Sequence, residues 1–133
     1  MANKDMELFD GEWAILKVVW EHEPVTAPAV QEFLQKERNW AYATVKTLMD
    51  RMTKKGLLKT EKIRNMYLYR AAISRAQAQE SDLVRVVKRA FNGTFSPMMQ
   101  FLVESEKLSD EEVKYVEDLL KQRKRRKAGS KQS

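Results

Sequence analysis

The chain of 133 residues contains no cysteine. That absence removes disulfides, thiolate nucleophiles, thiol redox sensing and thiolate metal sites together. Histidine occurs once, as His22, so a transition-metal site would need carboxylates almost alone, a poor donor set. No metal and no cofactor are expected. Only four glycines and three prolines are present, which leaves little loop or linker, and there is no Gly-rich phosphate loop. With a lone histidine in an acidic helix end, no catalytic constellation forms and an enzyme is not expected. No apolar run approaches the ~20 residues of a membrane span, and the first seven residues lack a signal peptide's apolar core. A soluble, cytoplasmic protein without membrane insertion is expected. Its 43% hydrophobic and 33% charged residues suit a largely helical globular chain. By length this is one domain, or two very small ones.

What the chain does have is charge that changes sign by segment. Residues 36–70 hold ten Lys/Arg against three acids, whereas residues 1–35 hold two bases against seven acids. Residues 71–120 are again acidic, with six bases against nine acids. The last thirteen residues add seven bases and no acid. A segregated positive charge of this kind is the electrostatic footprint of a polyanion-binding surface.

Periodicity places the elements. Asp10 is positioned to cap a first helix, with Glu12 in its first turn and Trp13, Ile15, Leu16, Val19 and Trp20 on two apolar stripes. Thr26 caps a second helix with Pro28 in its first turn, and Val30, Phe33 and Leu34 form its apolar face. A third helix runs from about Ala41 to Lys55 and stops at Gly56. Val45, Leu48, Met49 and Met52 form its buried stripe, leaving Ala43, Lys46, Thr47, Asp50 and Lys54 outward and Arg51 at the rim. Two short strands from Leu58 and Met66 follow, joined across Ile63-Arg64-Asn65, with Asn65 suited to a left-handed turn residue. Tyr67 and Tyr69 are expected in the core at the hairpin base. Residues 75–120 read as helices, broken at Asn92-Gly93-Thr94 and restarted at Ser96-Pro97, with a capping box from Ser109 to Glu112. Beyond Lys121 a frayed basic end is expected.

The fold class implied is mainly α with a small β-hairpin wing. Helix, helix, helix, hairpin is the order of a winged helix-turn-helix, whose third helix enters the major groove of double-stranded DNA. An outer face of small and hydrogen-bonding residues flanked by cations suits that groove. Ala43, Lys46 and Thr47 would face bases; Arg51, Lys54 and Lys55 would reach phosphates, as would Lys62 and Arg64 at the wing tip. The expected domains are a DNA-binding unit over 1–74, a helical dimerisation unit over 75–124 and a basic tail over 125–133. That tail is either an auxiliary phosphate-binding arm or a solvated end.

The segments Asp10-Gly-Glu-Trp-Ala-Ile-Leu-Lys-Val-Val-Trp20, Ala41-Tyr-Ala-Thr-Val-Lys-Thr-Leu-Met-Asp-Arg-Met-Thr-Lys-Lys-Gly-Leu57 and Asn92-Gly-Thr94 resemble the penicillinase and methicillin-resistance repressor family. The resemblance runs from about Phe9 to Leu120. It implies a homodimeric repressor that binds a palindromic operator of resistance genes, with a winged helix followed by a helical dimerisation domain. Thr44, Lys46, Thr47 and Arg51 occupy positions at which family members contact DNA; Tyr42, at the start of the helix, is a further candidate DNA-binding residue. The family is inactivated by a membrane-bound sensor metalloprotease that cuts an Asn–Phe bond. The matching bond here is Phe101–Leu102, with Gln100–Phe101 beside it, and no Asn is present. Where family wings often carry Gly-Arg, this chain has Arg64-Asn65.

A dimer is also expected on physical grounds. Phe91, Phe95, Met98, Met99, Phe101, Leu102, Val113, Val116 and Leu120 crowd the last third of the chain. Three short helices cannot cover that surface alone, and burying one such side chain contributes ~1.5–3 kcal/mol. Two other readings stay open: a winged-helix regulator released by a small ligand, and a winged-helix module that binds protein or RNA.

Overall fold

The computed structural model describes residues 8–131. Its elements are α1 (Asp10–His22), α2 (Ala27–Arg38), α3 (Tyr42–Lys55), β1 (Leu58–Ile63), β2 (Met66–Ala71), α4 (Arg75–Ala90), α5 (Phe95–Glu104) and α6 (Asp110–Lys131). They form two compact units that divide between Val86 and Val87.

In the first unit α1 is central. It packs on α2, α3 and β2, which explains why Ile15, Leu16 and Val19 are all fully buried. The N-cap is Phe9, one residue earlier than the Asp10 expected. Its amide donates to Glu12 Oε1 at 2.9 Å, so the Glu12 carboxylate replaces an N-cap side chain. Glu12 is itself buried and is neutralised by Lys55, whose Nζ lies 2.9 and 3.0 Å from its two oxygens. One carboxylate therefore closes the start of α1 and ties it to the end of α3.

Thr26 caps α2 as expected, accepting from the Ala29 amide at 3.3 Å, with Pro28 in the first turn. Phe33 is not core: it is half exposed and stacks on His22 with ring centroids 3.9 Å apart. Val30 and Leu34 already fill the contact with the core, and Phe33 falls outside their stripe. The turn into α3 uses Asn39 in the left-handed region (φ 49°). α3 ends at Gly56 (φ 86°), where a side chain would be strained, and the Leu57 amide returns to the Met52 carbonyl at 2.9 Å.

β1 and β2 pair antiparallel in the register Leu58↔Ala71 to Ile63↔Met66. Only Arg64 and Asn65 join them, and Arg64, not Asn65, takes the positive φ of 56°. With two loop residues instead of three, the first of them must turn left-handed. The free edge of β2 is occupied by Val25, which exchanges two backbone hydrogen bonds with Tyr69 at 2.8 and 3.0 Å.

Residues 75–86 of α4 belong to this compact unit. Ala78 sits in the core, Trp13 Nε1 donates to Asp82 at 3.1 Å, and Trp20 Nε1 donates to the Ile73 carbonyl at 3.0 Å. Each indole N–H finds the partner that burial demands.

In the second unit α5 starts after Thr94 with Phe95 as its first residue, earlier than the Ser96 cap expected. α6 opens on the expected capping box: the Ser109 amide meets Glu112 Oε1 at 3.0 Å and the Glu112 amide meets Ser109 Oγ at 3.1 Å. The frayed end expected beyond Lys121 is instead helix through Lys131, because Lys, Arg, Gln and Ala are all strong helix formers. Among its described residues α5 has none that is buried. Phe95, Phe101, Val113 and Leu120 are exposed, while Phe91, Met98, Met99, Leu102 and Val116 are half-buried.

Removal of the buried carboxylate tests this view of the first unit. Glu12→Ala should lower stability to urea by about 1–3 kcal/mol, the cost of an unmade charged hydrogen bond, with Lys55 partly relieved by water. An unchanged midpoint would show that the ion pair does not hold α1 to α3.

Candidate nucleic-acid interface

The inner stripe of α3 sets the phase of the whole site. Val45, Met49 and Met52 have no exposed surface and Leu48 packs at their edge. The opposite face is therefore outward by geometry. Ala43, Thr44, Thr47 and Arg51 are exposed and, with Leu48, line one shallow depression. Tyr42 is exposed at the first position of the helix, and Lys54 is exposed one turn beyond Asp50. Lys62 and Arg64 are exposed on the wing. The structure thus brings Ala43, Thr44, Thr47, Arg51 and Lys54 onto one helix face, with Lys62 and Arg64 on the hairpin; Tyr42, though exposed, lies off that face, on the side of Lys46 and the wing.

Two of the expected contact residues are placed otherwise. Lys55 points back into the fold, onto buried Glu12 and over the Phe9 ring, 4.9 Å from its centroid. Its place in the last turn of α3 turns it toward α1. Lys46 is half-buried between α3 and the wing. Its Nζ donates to Tyr69 OH at 2.7 Å and to Asp50 Oδ1 at 2.9 Å, and Tyr69 OH lies 3.2 Å from the same oxygen. The ammonium also lies 5.1 and 5.4 Å from the ring centroids of Tyr67 and Tyr69. The hydrogen bond to Tyr69, then that to Asp50, raises the pKa of Lys46 above its ordinary value. Burial raises that of the Tyr69 phenol. Lys46 is a charged strut that fixes the angle between α3 and the hairpin.

Tyr69 is buried as expected, but Tyr67, on the same strand face, is 46% exposed. It lies nearer the tip, beyond the reach of the core, and is flanked by Lys46 and by its cross-strand partner Lys62, 5.6 Å from the ring. Tyr67 and Met66 were not among the expected site residues. The period-two spacing of Tyr67 and Tyr69 shows that they share a face, but not how far the core extends along it. Together with Tyr42, Lys46, Asn65, Thr26 and Pro28 they line a cavity of about 290 Å³ between α2, α3 and the wing.

Three helices followed by a two-stranded hairpin, with the third helix presenting a polar and cationic face, define a winged-helix protein. The solved DNA binding domain of the repressor BlaI is similar, with a TM-score of 0.50 and 27% identity, covering 58% of this chain and 93% of that one. The model of the family described as penicillinase repressor matches residues 9–122, and the chain belongs to that family. It is 29% identical over 121 residues to a penicillinase repressor from Bacillus licheniformis, covering 91% of this chain and 94% of that protein. It is 24% identical over 120 residues to the methicillin resistance regulatory protein MecI of Staphylococcus aureus strain N315, covering 90% and 98%. Among the described residues no helix is long and apolar enough to cross a membrane.

The strut makes a pH-dependent prediction. The hydrogen bonds to Tyr69 and Asp50 raise the folded-state pKa of Lys46, so their stabilisation is present below its ordinary value and lost as pH rises through the folded one. The stability difference between wild type and Lys46→Met should stay constant from pH 6 to 9 and shrink only above about pH 10. Amide exchange in β1 and β2 should quicken in that variant while α1 is unchanged. Equal protection in both hairpins would remove the strut.

Proposed function

We propose that this chain is a transcriptional repressor that binds a palindromic operator as a homodimer, with α3 in the major groove of each half-site. One observation carries the reading: the outward face of α3 gathers Thr44, Thr47 and Arg51 around the small Ala43, while the buried stripe behind it fixes that face toward solvent. Small and hydroxyl side chains suit base edges; Arg51, Lys54, Lys62 and Arg64 suit phosphates. Family membership supports DNA as the partner, and resistance genes as the targets.

The dimer reading is supported by the apolar surface of the second unit. Phe95, Phe101, Val103, Leu119 and Leu120 are between 42% and 61% exposed in the single chain. Pairing two copies would cover such side chains and present two recognition helices about 34 Å apart. Release of the operator by a membrane-bound sensor metalloprotease, as the family resemblance implies, is part of this proposal. The matching bond, Phe101–Leu102, lies within α5. A second reading, release by a small ligand, is favoured by the cavity beside Lys46, whose largely aromatic and apolar lining suits a small aromatic ligand.

Three measurements test these statements. Thr47→Ala should cost about 1–3 kcal/mol on the selected operator and relax preference at one base pair, while Arg51→Ala and Lys54→Ala weaken binding to all sequences and flatten the salt slope by about one each. Unaltered affinity in all three would contradict the groove assignment. Sedimentation at micromolar concentration should report twice the chain mass, and Leu120→Asp should shift it to the monomer; a wild-type monomer would end the dimer reading. Loss of the intact chain in cells after β-lactam exposure, blocked by a metalloprotease inhibitor, selects cleavage over ligand release.

A further inference from the structure

The far end of α6 carries charge that neither the fold nor family membership accounts for. Arg123, Lys124, Arg125, Arg126 and Lys127 lie beyond residue 122, where the match to the family model stops. All five are exposed on a helix that continues to Lys131. The acids of α6, Asp110, Glu111, Glu112, Glu117 and Asp118, all precede them, and no Asp or Glu stands within four residues of any of the five.

The ordinary explanations fail one by one. Lys or Arg near a helix C-terminus complements the helix dipole, but that effect fades within the last turn, and these residues precede it. Ion pairing along the helix is excluded by the missing acids. Instead Arg123 and Lys127, Arg123 and Arg126, and Lys124 and Lys127 stand on adjacent turns and repel one another. At 100° per residue the five also surround the helix completely, leaving no apolar stripe, so the segment lacks the face with which a helix enters a membrane surface. A rod that is cationic on every side, self-repelling and free of acids fits a polyanion whose charges are closely spaced.

We infer that residues 123–127 form a sequence-independent arm that binds the phosphates of duplex DNA and adds affinity without adding base preference. This rests on the reading of the chain as a DNA-binding protein, and extends it to a surface outside the winged helix. With each cation neutralised, fewer counterions are released on binding, so the arm is read directly from salt dependence.

The experiment uses the full chain with Arg123, Lys124, Arg125, Arg126 and Lys127 changed to Gln, which keeps helix propensity. Affinity for a random-sequence duplex is followed by fluorescence anisotropy between about 50 and 200 mM salt. The slope of log K against log salt should become shallower by about 0.9 for each phosphate no longer neutralised, up to about 4.5 per chain. The ratio of affinities for selected and random duplexes should not change. A two-site variant, Arg125→Gln with Arg126→Gln, should give a proportionate part of the effect, and far-UV circular dichroism and sedimentation should match wild type. An unchanged slope overturns the arm. So does an unchanged slope together with lost binding to phosphatidylglycerol vesicles, which would assign the charge to a membrane surface. Failure of the wild type to prefer any selected sequence would instead sink the operator reading, while the random-duplex slope still decides the arm.

Discussion

Burial of Val45, Met49 and Met52 in the core that α3 shares with α1, α2 and β1 is the constraint from which the rest of the first unit follows. A helix with one dry stripe has no freedom of rotation, because turning it would expose those side chains at a cost of several kcal/mol. The stripe therefore decides which residues meet a partner and which do not. Thr44, Thr47 and Arg51 are outward because their neighbours are inward. One ion pair and one hydrogen bond from an ammonium then fix the helix at different points. Lys55 joins its end to buried Glu12, and Lys46 braces its middle against Tyr69 of the wing. The surface offered to a ligand is thus prepared before any ligand arrives, which keeps the entropic cost of recognition low.

That preparation divides the basic residues of the segment into two kinds. Lys46 and Lys55 spend their charge inside the protein, one on a phenol and an aspartate, the other on a capping carboxylate. Arg51, Lys54, Lys62 and Arg64 keep theirs at the surface. Net positive charge alone does not make this distinction, since all six contribute equally to the count. Only the positions of Glu12, Asp50 and Tyr69 in space separate the structural cations from those available to phosphates.

The helices and their faces were legible in the sequence because each rests on local chemistry: the Thr26 cap, the Gly56 stop, the Ser109 to Glu112 box and the 3.6-residue spacing of the apolar stripes. What was not legible depended on distance. The Phe9 cap arises from a carboxylate three residues on that is itself held by a lysine in another helix. Phe33 fits the apolar pattern of α2 but stacks on His22 at the surface. Tyr67 shares a strand face with buried Tyr69 yet lies past the edge of the core. The left-handed turn residue shifted from Asn65 to Arg64 once the strands proved one residue longer. At the far end, composition suggested a loose basic tail, whereas strong helix formers extend α6 through it.

The central claim is that the outward face of α3 enters a major groove twice. Dimethyl sulfate reacts with guanine N7 in that groove, and a duplex selected from a random pool supplies the site. Protection of guanines in two patches, symmetric and centred about 10 base pairs apart, is the result expected. Guanines that stay fully reactive beneath a hydroxyl-radical footprint would place the protein on the backbone alone and contradict it.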